Sequence, residues 1–210
     1  EVIMIDLSTQ TIIPILVASV SGLLTSYFLT GTNVLYFVSI SEKFNIEQFP
    51  YYLSLGIICG FISLYFSQTF IFFSKKFRKI SKPIVKYAVG ASLLGLLVFL
   101  FPSLYGEGFE VINSGVNSDF SYIFNNFFIP QSQSSLVIIV LLLLMIFLKI
   151  ISTSFTLNAG GTGGIFAPML FTGANLGLLV AIVAKELLGY HISFTNSALV
   201  AMSGVISGVL

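Results

Sequence analysis

Six apolar runs, most of them long enough to cross a hydrocarbon core, constrain this chain more than any other feature. Such a core is about 30 Å thick and takes about 20 apolar residues in a helix. The runs cover residues 11–30, 51–73, 84–101, 136–155, 165–188 and 197–210. Lipid offers backbone N–H and C=O groups no partner, so a spanning segment must satisfy them within its own helix or within a closed barrel. Continuous runs of this length, without the short alternating segments of a barrel, predict an all-α polytopic transmembrane bundle. Pro14 is expected in the first turn of the first span and Pro83 at the start of the third, where a missing N–H costs little.

Composition agrees with that reading: 56% of residues are apolar and 8% are charged, against roughly 25% charged in soluble domains. A formal net charge of +1, with no basic tail, gives no reason to expect a nucleic-acid partner. Six of the nine basic residues, Lys75, Lys76, Arg78, Lys79, Lys82 and Lys86, crowd the connection between the second and third spans. The positive-inside rule places that connection in the cytoplasm, which puts 41–50 and 102–133 outside and sends 136–155 inward again. The lone Cys59 sits in an apolar run and is expected to pack rather than react. The chain opens at Glu1 and stops at Leu210 inside an apolar run, so both ends are expected to be cut from a longer protein.

Chemistry concentrates in one short segment. Between the fourth and fifth spans stand Asn158-Ala159-Gly160-Gly161-Thr162-Gly163-Gly164, and Ile165-Phe166-Ala167-Pro168 follow directly. A connection so short and so free of charge is expected to turn within membrane depth, where irregular backbone survives only when buried in protein or lining a water-filled cavity. The first turn of the following helix leaves N–H groups unpaired, and the helix dipole adds partial positive charge there. An anion satisfies both, and glycines let the backbone approach it closely. The absence of Lys and Arg near the segment suits loose binding by backbone dipoles, from which an ion can be released. From the residues alone, a glycine-rich helix-packing turn remains an equal alternative. Phosphate-loop and dinucleotide readings fail, because no Lys-Ser or Lys-Thr follows the glycines and no strand precedes them.

Gly164-Ile165-Phe166-Ala167-Pro168 resembles the G-x-F-x-P motif of the CLC family of chloride channels and proton-coupled chloride transporters. Met169-Leu170, the stretch from Gly106 to Ile112, and Ala201-Met202-Ser203-Gly204 resemble the same family, so the likeness extends over essentially the whole chain. It implies that residues 1–210 are part of a CLC-type inverted-repeat membrane domain with broken helices. It further implies that Gly164, Ile165, Phe166 and Ala167 form the anion-binding helix start, the amides of Ile165 and Phe166 holding the dehydrated ion. Gly160, Gly161, Gly163 and Pro168 would shape the turn and pathway. The family's G-S-G-I-P serine, G-R-E-G-P glutamate and last-helix tyrosine are not on this chain.

The same likeness implies chloride or a similar small anion as cargo, a lipid bilayer as host, a homodimer whose contact includes the helix near Thr11 to Thr30, which carries the small residues Ala18, Ser19, Ser21 and Gly22, and the cell (inner) membrane as location. No catalytic residue, metal or cofactor is implied. Glu1-Val2 resembles the stretch where channel members carry Glu-Val and coupled transporters Glu-Glu. Val2 cannot relay a proton, which favours a passive channel over the alternative, a proton-coupled exchanger. A lipid-modifying membrane enzyme, the remote alternative, would need a convergent nucleophile and base set that one His and scattered carboxylates do not supply. Among the remaining ionisable residues, His191 is expected at an interface, Glu107 and Glu110 in a solvated or capping role, and Asp6 at a cap. Lys149 is expected to snorkel to the inner face. Glu186 lies close to a span end, where an ionisable group is a functional candidate.

Overall fold

The computed structural model describes residues 9–31, 46–106, 108, 113, 135–189 and 192–210, and among them every regular element is helical. Two compact units are present, Glu1–Phe37 and Val38–Leu210. The first holds α1 (Thr9–Thr30), whose 22 residues would reach about 33 Å. Its apolar side chains are exposed all round, as in a helix meant for lipid or for protein partners. Ser19 and Thr25 hydroxyls donate to the carbonyls of Ile15 and Ser21, each at 2.8 Å, so the helix consumes its own polar hydrogens. Pro14 departs from expectation. The helix starts at Thr9, two residues earlier than the apolar run, so Pro14 falls in the second turn and removes an intrahelical bond.

The second unit holds α2 (Phe49–Phe77), α3 (Pro83–Leu100), α4 (Ser135–Ala159), α5 (Phe166–Leu188) and α6 (Phe194–Val209). Short 3-10 turns precede α2 at Ile46–Gln48 and follow α3 at Pro102–Leu104. Pro83 is the first residue of α3, as expected. The helix α2 runs four residues past the apolar stretch, taking Lys75 and Lys76 into its last turn, where cations meet the negative end of the dipole. Five helices, α1 to α5, are long and apolar enough to cross a membrane, while α6 has 16 residues.

Side-chain contacts give the helix directions. Tyr65 meets Phe147 and Phe73 meets Phe155 edge-on, with centroids 5.0 and 4.8 Å apart, so α2 and α4 run parallel. The Tyr51 hydroxyl donates to Ser197 Oγ at 2.9 Å and that of Ser63 to the Val205 carbonyl at 3.2 Å, so α2 and α6 are parallel too. Gly90 of α3 sits against Ala159 of α4, and Leu94, Val98, Ser152 and Thr156 of the two helices line one cavity. The closest crossing joins α5 to α6. A Cβ on Gly173 would lie 2.6 Å from Met202 Cα, and one on Gly177 would lie 2.7 Å from Ala198 Cα. Gly173 and Gly177 form a G-x-x-x-G pair that the sequence reading passed over, facing Ser197, Ala198 and Ala201. Leu55, Cys59, Phe66, Ile146, Ile150, Met169, Leu176, Ala201 and Val205 make the core between α2, α4, α5 and α6.

Candidate anion site at the start of α5

The helix α4 ends in a Schellman motif, which the glycines explain. Gly161 N–H donates to the Thr156 carbonyl at 2.9 Å and Gly160 N–H to that of Leu157 at 3.4 Å, with Gly160 at φ 109°. A Cβ at Gly160 would collide with the Tyr87 ring, and one at Gly161 would lie 2.8 Å from the Thr156 carbonyl oxygen. Gly163 and Gly164 differ, since a Cβ on either would meet only Leu157 Cδ2 at 3.7 Å or Phe166 N at 4.0 Å. Two of the four glycines thus shape the turn, and two leave space beside it.

Ile165 is the N-cap of α5 and supplies no side-chain acceptor. The helical ladder opens with Met169 N–H donating to the Ile165 carbonyl at 3.0 Å. Ahead of that bond stand the N–H groups of Ile165, Phe166 and Ala167, and Pro168 removes the donor that would have come next. The cluster of donors at Ile165–Ala167 is therefore aimed out of the helix start. Ile165 is half-buried against the core while Phe166 is 56% exposed.

Depth follows from neighbours. Gly160 lies beside Tyr87, and Gly163 and Gly164 share a cavity of about 280 Å³ with Leu94 and Val98. Those residues lie between the second turn and the last of α3, so the irregular backbone falls alongside a spanning helix and not beyond its ends. Pro168 and Lys149 line the same cavity, together with Ser152, Thr153 and Thr156. The three hydroxyls donate to carbonyls one turn back, those of Lys149 (2.9 and 2.8 Å) and Ser152 (3.0 Å), so they show the cavity acceptors. A second, mostly apolar cavity of about 340 Å³ lies between Tyr87, Gly90, Ala91, Leu94 and the Ala159–Gly161 end of α4.

Lys149 overturns its expected role. It is 3% exposed, and its ammonium donates to the carbonyls of Leu104 at 3.0 Å and Gly106 at 2.6 Å, so it does not snorkel to water. The reading that no basic residue stands near the glycine segment is qualified by the structure, because Lys149, on the α4 helix that leads into the turn, lines the same cavity as Gly163 and Gly164. Glu186 is exposed and accepts from the Ser135 hydroxyl at 2.8 Å, joining the end of α5 to the start of α4. Among the described residues no group of three or more His, Cys, Asp and Glu side chains could hold a metal ion. Val2, Asp6, Glu107, Glu110 and His191 lie outside the described residues.

A set of five long apolar helices defines an integral multi-pass membrane protein. The family model described as "Voltage gated chloride channel" matches residues 1–210, and the chain belongs to that family. It is similar to the voltage-gated ClC-type chloride channel ClcB of Citrobacter koseri, 26% identical over 181 residues, covering 85% of this chain and 39% of that protein. The chloride channel protein CLC-f of Arabidopsis thaliana is 27% identical over 183 residues, 83% of this chain and 21% of the other. An uncharacterised protein of Methanocaldococcus jannaschii is 27% identical over 169 residues, 80% of this chain and 38% of the other. This chain spans about two fifths of the length of the first and last of these relatives.

Proposed function

We propose that this chain forms part of a chloride-conducting pathway in which the start of α5 holds the anion through its backbone. The observation that carries the reading is the uncapped helix start at Ile165, preceded by open glycines that line a cavity with residues of α3 and α4. The Ile165 and Phe166 amides donate to the ion, Gly164 and Ala167 flank it, and Pro168 leaves no competing donor. Gly160 and Gly161 fix the turn, and Gly163 keeps its side open. Neutral dipoles bind weakly enough for release, as conduction requires. The names of the ClcB and CLC-f relatives support chloride as cargo. The rest of the pathway belongs to segments beyond these 210 residues, by the family's motifs.

Val2 favours passive conduction over proton-coupled exchange, since a valine side chain carries no proton. The small residues Ala18, Ser19, Ser21 and Gly22 on α1 suit a homodimer contact in the cell membrane. Full-length protein in liposomes under opposed chloride and pH gradients tests both parts. The expected reversal potential follows chloride alone. Proton movement stoichiometric with chloride contradicts the passive mechanism, and no chloride-dependent current contradicts the anion reading itself.

A further inference from the structure

Lys149 is the one buried cation among the described residues, and neither the turn nor the anion contact above uses it. It sits on the fifteenth residue of the 25-residue α4, well inside the span. Removing an ammonium from water costs several kcal/mol even after relaxation. An apolar side chain would fill this volume without that cost, so the charge calls for a role. Its partners show one. The Leu104 and Gly106 carbonyls belong to the turn after α3, where no helix or strand satisfies them, and Gly106 takes φ 63°. The ammonium also lies 4.8 Å from the centroid of the Phe171 ring, in the second turn of α5. The same ring occupies the space a Cβ on Gly108 (φ 78°) would need. One side chain from α4 thus ties the 104–108 segment to α5. Leu104, Tyr105, Gly106 and Lys149 line the same cavity as Gly163, Gly164 and Pro168.

We infer that Lys149 is a positioning residue for anion passage: it holds the 104–106 turn as a fixed wall, and so keeps open the cavity that adjoins the start of α5. The inference rests on the anion-transport reading. It separates access to the site from binding at the site, because the Lys149 contacts at Leu104, Gly106 and Phe171 are distinct from the amides of Ile165 and Phe166, although Phe171 shares α5 with them. Losing the tie lets the turn settle into the cavity, and misplacement of about 1 Å is enough to cost one to two orders of magnitude in rate.

The test uses full-length protein, comparing Lys149→Met and Lys149→Arg with the native chain by chloride efflux from liposomes and by calorimetric chloride titration. Lys149→Met is expected to lower efflux about tenfold or more and to leave the dissociation constant within about twofold. Arg can reach both carbonyls, so Lys149→Arg is expected to keep at least about a third of native efflux. Native efflux from Lys149→Met overturns the proposal. So does a parallel loss of efflux and affinity, which would make Lys149 part of the binding site. If Lys149→Met fails to give a monodisperse protein, Lys149→Arg decides: retained efflux supports the proposal, and a tenfold loss with a native elution profile overturns it. Absence of chloride binding by the native protein would instead remove the reading on which the inference stands.

Discussion

Two helices of one unit begin in opposite ways. The helix α6 starts on Ser193, whose hydroxyl accepts the Asn196 N–H at 3.4 Å, and buries Thr195, Ser197 and Ala198 at once against α5 and α2. The helix α5 starts on Ile165, with no side-chain acceptor, after glycines whose missing side chains leave open space. Capping is thus within this chain's means, and it occurs where a helix start packs against its neighbours. At α5 no side chain caps the first donors, and the neighbouring Gly163, Gly164 and Pro168 line a cavity. The contrast fits the ligand role proposed for the α5 start and a structural role for the α6 start.

If that division is right, the α6 joint is the intolerant one. Gly177→Leu would drive a side chain into the backbone at Ser197 and Ala198 and cost more than about 4 kcal/mol, seen as loss of monodisperse protein in detergent. A folded Gly177→Leu protein would break the comparison at its firmest point. Ser193→Ala is a milder probe. It removes a long capping bond and is expected to lower stability by about 0.5–1 kcal/mol with chloride affinity unchanged. A change in affinity there would deny that the two helix starts do different work. Gly163→Ala should disturb stability least, within about 0.5 kcal/mol, because the new methyl meets only Leu157 Cδ2 at 3.7 Å. A larger loss measured by thermal unfolding would mean that the open glycines are structural after all.

The spans were legible in the sequence because bilayer thickness imposes a length on every crossing, and Pro83 marked the start of α3 for a simple steric reason. The helix ends were less legible. Hydropathy falls at Ser74-Lys75, yet backbone bonding carries α2 on to Phe77, and α1 begins before its apolar run does. At the site, the glycine turn and the uncapped start stood out as a local pattern. Lys149 did not, since its partners are carbonyls 45 and 43 residues away, and a carbonyl has no signature in sequence. Ser152, Thr153 and Thr156 were missed for the related reason that hydroxyls in a helix usually bond back to their own turn. Gly173 and Gly177 do carry a readable signal, the four-residue spacing of small residues that lets two helices approach closely.

Coordination of chloride by the α5 amides is the central claim, and Ile165→Pro addresses it most directly. The N-cap φ of −88° lies near the range proline adopts, so the substitution deletes a donor at little cost to the helix. Calorimetric titration of chloride into the full-length variant beside the native protein should show binding weakened about tenfold or more, the scale of one lost hydrogen bond to a charged group. Native affinity in a folded Ile165→Pro protein would contradict coordination at this helix start.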